Sequence, residues 1–376
     1  MNGIHNSGGQ AVRNYGIDAL RILAMIMIPT LHIMGHGGIL STVKLFSINY
    51  DFIWILKAAT CCAVNCYGLV SGYVGYGRKF RYSNILYLCF QVTFYSLIIT
   101  GMFAVFVPGS VDIKTIINAA FPYISSVYWH ISSVYWYFTA YFCMFFFIPF
   151  FNLLLERLEK IWLDRLMITI LLIFSILPTL FQSDMTEADY GYSPIWLALL
   201  YLIGGYIKKY NIAGKFKQWQ SILGYLCCVF AGWIIELIIT FFLGKSDDGS
   251  YFLQYTSPTT IMCSVFLLIF FAGLKLNNLW VKIISFFAPL SFGVYLIHDE
   301  YLIREKFIVD TFSVYASLNP VFMVLAVIGT ALAIWFVCSL IDKIRLMIFN
   351  ALKIKDFCVW IENSIAKKIR SIRKTQ

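Results

Sequence analysis

Long apolar runs separated by short polar connections dominate the chain from residue 17 onward. Ten of these runs approach the roughly 20 helical residues that cross a hydrocarbon core. Because a segment in lipid must satisfy its own backbone hydrogen bonds, the pattern predicts an all-α, polytopic transmembrane bundle of about ten spans. The predicted span cores are 17–36, 52–76, 84–107, 135–155, 162–181, 192–207, 219–243, 256–273, 283–302 and 320–341.

The distribution of lysine and arginine among the connections predicts how the bundle sits in the membrane. Cytoplasmic connections are enriched in both residues. Most of the 29 fall in alternate connections and near the C-terminus, so both termini are expected to be cytoplasmic. The opposite side, called the outer side below, is predicted to carry Lys44, Lys114, Lys245, Arg304 and Lys306.

Composition agrees with a membrane protein. Hydrophobic residues make up 60% of the 376 and charged residues 13%, about half the charged fraction of a soluble domain. The net charge of +10 follows the membrane topology, so we do not expect nucleic acid as a partner. The ten cysteines lie mostly in apolar runs without zinc-site spacing, and we expect neither a disulfide nor a metal site.

The chain divides into a transmembrane domain, residues 1–346, and a basic tail, residues 347–376. Apolar positions at helical spacing alternate with lysines in the tail. This pattern predicts an amphipathic helix on anionic membrane lipid, with a disordered basic tail as the alternative. The sequence is compatible with a homo-oligomer and does not specify one.

The first span carries three ionisable side chains on one helical face. Asp18 and Arg21 are three residues apart and can pair. His32 follows Arg21 by eleven residues, close to three turns and about 16 Å along the axis. Such groups normally face a bundle interior or a wet cavity and are candidates for function. The alternative is a purely structural role, in which Arg21 extends to lipid phosphate and His32 forms a hydrogen bond with a backbone carbonyl.

The second span ends in small residues followed by two cations. Gly72 and Gly75 allow either close helix packing or close approach of a ligand. With Arg78 and Lys79 they would form a cytoplasmic mouth suited to phosphates, and Ser71 offers a hydroxyl within it.

Two later spans carry further candidates on the outer side. Trp136 and Tyr137 open the fourth span, where an aromatic belt and a sugar-stacking surface are both plausible. The ninth span is predicted to bring His298 towards the depth of His32, with Asp299 and Glu300 directly after it. His130, in the outer connection before the fourth span, is interpreted as a surface residue.

These stretches together resemble the membrane acyltransferase 3 family. Arg21 and His32 reproduce its signature of an arginine, ten residues and a histidine that is held to be catalytic. YGLVSGY at 67–73 is similar to its SGF or SGY motif, although Gly68 replaces the usual second aromatic residue. YWYFTAY at 135–141, followed by Pro149, and SFGVYLIH at 291–298 are similar to blocks in later spans.

The resemblance implies transfer of an acyl group, usually acetyl, from cytoplasmic acyl-CoA to an extracytoplasmic carbohydrate at the bacterial cell membrane. His32 is then expected to act as a general base, or to carry the acyl group itself. The catalytic candidates are His32 and Asp18. The candidates for binding acetyl-CoA are Arg21, Ser71, Arg78 and Lys79. The candidates for binding the acceptor are Trp136, Tyr137 and His298.

A transporter or flippase for a glycolipid or polysaccharide is the rival interpretation. Many spans with buried charges are common in transporters, but those proteins often show a repeated half. We detect no such repeat in this sequence.

Overall fold

The computed structural model describes residues 13–122, 135–243 and 250–374, and these residues form helices and connections without a β-strand. The longer helices are α1 (Tyr15–Met34), α2 (Ile48–Thr60), α3 (Ala63–Gly75), α4 (Tyr82–Phe106), α5 (Trp136–Phe145), α6 (Ile148–Arg157), α7 (Lys160–Leu171), α8 (Pro194–Lys209), α9 (Gln218–Leu243), α10 (Pro258–Ala272), α11 (Asn278–Phe287), α12 (Ser291–His298), α13 (Pro320–Ala351) and α14 (Ile354–Lys374).

The helices confirm the predicted all-α, polytopic bundle. Seven helical segments in the described ranges are long and apolar enough to cross a membrane, and the bent pair α5–α6 makes eight. The two remaining predicted spans correspond to α8 and α10, which have only 16 and 15 residues. The count of ten spans and the sidedness of the termini therefore stay predictions.

Helix α1 begins at a side-chain cap and lies at the centre of the bundle. The side-chain oxygen of Asn14 accepts a hydrogen bond from the amide of Ile17 at 3.2 Å, which satisfies an otherwise unpaired donor of the first turn. The helix packs against α2, α3, α10, α12 and α13. This central position keeps its polar side chains away from lipid.

Helices α3 and α8 approach each other closely through glycine. A Cβ on Gly72 would lie 1.9 Å from the carbonyl oxygen of Tyr201, and one on Gly204 would lie 2.0 Å from that of Leu69. Only a residue without a side chain permits this contact between backbones. The structure therefore supports helix packing as the role of Gly72.

The C-terminal tail forms helix α14, which packs against the start of α4. The Glu362 carboxylate accepts hydrogen bonds from the amides of Tyr82 and Ser83, at 2.9 and 3.3 Å. Because Arg81 provides no side-chain cap, Glu362 caps α4 from a distant part of the chain. The predicted amphipathic helix is thus present, and its lipid contact stays a prediction.

Candidate functional site

A cavity of about 840 Å³ lies at the end of the bundle that holds the C-terminal end of α1. Its walls come from α1, α2, α3, α5 and α12, and from the connections around residues 189–192, 253–255 and 299–305. The volume falls within the range of about 300–1,000 Å³ that is usual for small-molecule sites. Because these connections are predicted to be outer ones, the cavity belongs to the predicted outer half.

His32 projects into this cavity rather than towards lipid. Its side chain is 19% exposed, and its Nδ1 lies 3.5 Å from Oδ1 of Asp299. That separation is longer than a hydrogen bond. The same Asp299 oxygen accepts a hydrogen bond from Nη1 of Arg304 at 3.1 Å. One buried carboxylate therefore lies between a permanent cation and a titratable imidazole.

Two more imidazoles flank His32. The rings of His36 and His298 each lie 5.2 Å from its ring, centroid to centroid. His36 lines the cavity, whereas His298 is buried behind His32 and does not line it. Nδ1 of His298 lies 2.6 Å from the carbonyl oxygen of Val294, which can act only as a hydrogen-bond acceptor. Neutral His298 therefore carries its proton on Nδ1 and leaves Nε2 as an acceptor without a protein partner.

Asp18 and Arg21 pair with each other at the opposite end of α1. Nη1 of Arg21 lies 2.8 Å from Asp18, and Nε of Arg13 lies 2.6 Å from the other oxygen of the same carboxylate. Neither Asp18 nor Arg21 lines the cavity. Tyr67 does line it, and its hydroxyl donates to the backbone carbonyl of Arg21 at 2.8 Å. One tyrosine ring thus separates the cavity from the backbone at Arg21.

The other three residues predicted to hold acetyl-CoA are not gathered around the cavity. Ser71 donates its hydroxyl to the carbonyl of Tyr67, one turn earlier in the same helix. Arg78 and Lys79 are exposed on the segment after α3. Their role as phosphate ligands stays a prediction.

Both predicted acceptor-binding residues of α5, Trp136 and Tyr137, line the cavity together with Tyr192 and Tyr255. His36, Arg304, Tyr192 and Tyr255 were not singled out in the sequence. Only His36 had a usable signal, since it follows His32 by four residues on the same helical face. The predicted surface residue His130 lies outside the described residues.

Two further charged side chains of the bundle, Glu236 and Lys57, have partners nearby. Glu236 accepts hydrogen bonds from the hydroxyls of Tyr50 and Thr240. The Lys57 ammonium lies 3.9 Å from the centre of the Trp54 ring, a cation–π geometry. Among the described residues, no group of three or more His, Cys, Asp or Glu side chains is arranged to hold a metal ion.

Apolar helices of membrane length surround a largely apolar cavity that has His32, Asp299 and Arg304 at its wall, and this arrangement defines a multi-pass membrane protein with an internal cavity. Residues 14–340 match the sequence model of the acyltransferase 3 family, described as an acyltransferase domain. The chain belongs to this family and is a membrane acyltransferase. The match runs from the start of α1 into α13 and ends before α14. No curated protein and no solved structure matches the chain.

Proposed function

We propose that the protein transfers an acyl group, most readily acetyl, from cytoplasmic acyl-CoA to a hydroxyl of an extracytoplasmic carbohydrate. A surface polysaccharide or glycolipid at the bacterial plasma membrane fits this scheme. The observation that carries the proposal is the position of His32, beside Asp299 and Arg304, at the wall of a cavity of about 840 Å³ in a chain of an acyltransferase family.

In the proposed reaction His32 is the general base. Its Nδ1 faces Asp299, so Nε2 is the nitrogen available to take the proton of the acceptor hydroxyl. The hydroxyl oxygen attacks the thioester carbonyl carbon, and the carbon–sulfur bond breaks. The leaving thiolate takes the proton from the imidazolium, so the products are an ester and a free thiol.

Asp299 is proposed to orient His32 and to stabilise its charged form. The 3.5 Å separation seen here shortens when the imidazole gains a proton, because catalytic hydrogen bonds are often long before substrate binds. Arg304 holds the same carboxylate from the other side and limits its movement.

The two substrates are proposed to arrive from opposite ends. Trp136 and Tyr137 contact the carbohydrate, and His298 supports His32 from behind. Arg21, Arg78 and Lys79 bind the coenzyme A phosphates, for which guanidinium groups offer paired donors, and Ser71 lies along the path of the acyl arm. Asp18 acts by holding Arg21. The acyl arm reaches His32 past Tyr67, whose ring must turn aside.

The proposal is tested with His32→Ala and with His36→Ala as a matched control from the same cavity. Loss of a general base lowers the rate by about 10²–10⁴-fold. We expect that loss in acetylation of surface glycan for His32→Ala at normal membrane expression, and a much smaller change for His36→Ala. Undiminished acetylation in His32→Ala would remove His32 from catalysis.

Binding of coenzyme A separates an acyltransferase from a transporter. Purified protein should retain labelled coenzyme A, and Arg21→Ala should weaken that retention. Movement of glycolipid across a membrane without coenzyme A would instead favour the flippase interpretation.

A further inference from the structure

Three aromatic rings from three separate segments meet at the cavity wall. Trp136 begins α5, Tyr192 precedes α8 and Tyr255 precedes α10. Ring centroids are 4.5 Å apart for Trp136 and Tyr192, 4.9 Å for Tyr192 and Tyr255, and 5.9 Å for Trp136 and Tyr255. All three residues line the cavity that contains His32. We call these three residues the aromatic wall.

Buried contacts position the two connections that carry Tyr192 and Tyr255. The side-chain amide of Asn65, fully buried in α3, donates to the Tyr255 carbonyl at 2.7 Å and accepts from the Trp196 indole at 3.0 Å. Gly191 has φ +103°, and a Cβ there would lie 2.5 Å from Cβ of Tyr255. The segment before α8 therefore reaches Tyr255 only because residue 191 is glycine.

The surroundings of the wall select the chemistry of its ligand. Asp189 and Gln254 lie close in sequence to Tyr192 and Tyr255 and line the same cavity. They offer hydrogen-bonding groups beside the rings. Burial raises the pKa of Tyr255, so this phenol stays neutral at physiological pH. A sugar hydroxyl can hydrogen-bond to Asp189 or Gln254 in place of water, whereas a purely apolar ligand offers these groups no partner.

A pyranose ring offers the matching surfaces. Its axial C–H groups form a flat apolar face, and its hydroxyls project around the edge. Stacking of a flat ring on aromatic side chains gives about 1–3 kcal/mol per ring in nucleic-acid complexes. The edge hydroxyls can then meet Asp189 and Gln254 on one side and His32 across the cavity.

We propose that the aromatic wall is a subsite that holds one pyranose ring of the acceptor by its C–H face and so selects cyclic sugars over acyclic alcohols. Tyr192 and Tyr255 are then specificity-determining residues of the acyl transfer. This inference rests on the proposed function, because it takes the ligand of the cavity to be the acceptor.

The test uses the purified full-length protein in detergent, with cellotetraose as a cyclic probe and sorbitol as an acyclic one. Binding is measured by saturation-transfer NMR, which needs no catalysis. We expect saturation to concentrate on the axial hydrogens of one pyranose face and to be absent for sorbitol. Tyr192→Ala and Tyr255→Ala should weaken cellotetraose binding about tenfold, and Tyr192→Phe and Tyr255→Phe should bind within about twofold of the parent protein.

Three outcomes would overturn the subsite. The alanine variants could bind cellotetraose as tightly as the parent protein, sorbitol could bind as tightly as cellotetraose, or cellotetraose could show no detectable binding. Thermal unfolding of each variant shows whether it is folded. If an alanine variant is not folded, the comparison of cellotetraose with sorbitol on the parent protein still decides the question. Retention of labelled coenzyme A is measured in parallel, so loss of the subsite and failure of the acyltransferase proposal give different results.

Discussion

Two clusters of buried charge occupy different parts of this bundle, and they are built in opposite ways. In α13, Asp342 and Arg345 are almost completely buried and form two direct hydrogen bonds, at 2.9 and 2.6 Å. Tyr95 donates to the same aspartate at 2.7 Å, and Tyr87 accepts from the arginine at 3.0 Å. Every charged group of this cluster has a short-range protein partner.

The cluster around His32 is incompletely paired. His32 Nδ1, His298 Nε2 and the Tyr295 hydroxyl are buried without a hydrogen-bond partner. Buried polar atoms in folded proteins are normally satisfied, so each exception requires an explanation. Of these residues, His32 and Tyr295 line the cavity, and His298 lies against His32. The difference teaches that burial of charge alone does not single out a candidate site, and that unpaired buried atoms become informative where they border a cavity.

The largest expected effect comes from breaking the paired cluster. Asp342→Asn leaves the Arg345 charge without its partner inside the bundle, and removing one member of a buried pair costs about 3–5 kcal/mol. We expect a large fall in thermal stability in detergent, with acyl transfer per folded molecule unchanged. Normal stability of Asp342→Asn, or a specific loss of activity at normal stability, would remove the distinction between the clusters.

The reverse pattern is expected at the histidine cluster. Asp299→Asn keeps the side-chain shape but removes the negative charge that stabilises protonated His32. Acyl transfer should fall by a factor on the order of 10², while thermal stability changes much less than in Asp342→Asn. Glu305→Gln is the matched control. Glu305 also borders the cavity, but its carboxylate lies 4.0 Å from Arg304, too far for the hydrogen bond that Asp299 makes. Equal activities of the two variants would contradict a role for Asp299.

Much of the fold and part of the site could be predicted from the sequence. Apolar length predicted the helical bundle, because lipid leaves the backbone few alternatives. Helical spacing placed Asp18 and Arg21 within pairing distance, and they do pair. The same spacing occurs at Asp342 and Arg345, yet nothing local distinguishes a structural pair from a functional one.

The remaining features depend on contacts between distant segments. Asp299 reaches His32 only after α1 and α12 pack together, and the aromatic wall requires Gly191 and Asn65 to position connections that carry no motif. Sequence also could not show that Tyr67 lies between the cavity and the Arg21 backbone. Such relations are set by tertiary packing, so neither periodicity nor residue spacing reveals them.

A third carboxylate, Glu362, is paired like Asp342 but is only partly buried. Its substitution gives the smallest expected change in stability. Partial burial raises its pKa, but hydrogen bonds from Ser83 and from the amides of Tyr82 and Ser83, with the charge of Arg81, outweigh it and lower the pKa. The cap therefore stabilises the contact of α14 with α4 at pH values above the ordinary glutamate pKa of 4.5, and this stabilisation is lost as the pH falls through the lower pKa of folded Glu362.

Glu362→Gln should weaken this contact by about 0.5–1 kcal/mol at pH 7, as expected for a lost helix cap. Hydrogen exchange at the first turn of α4 should be faster in the variant at pH 7, and the difference from the parent protein should vanish once the pH has fallen below the lowered pKa of Glu362. Glu159→Gln is the control, because Glu159 precedes α7 without a side-chain cap bond. Equal exchange in Glu362→Gln and the parent protein at pH 7 would show that α14 is held by its apolar contacts alone, such as that of Phe357 with Phe90.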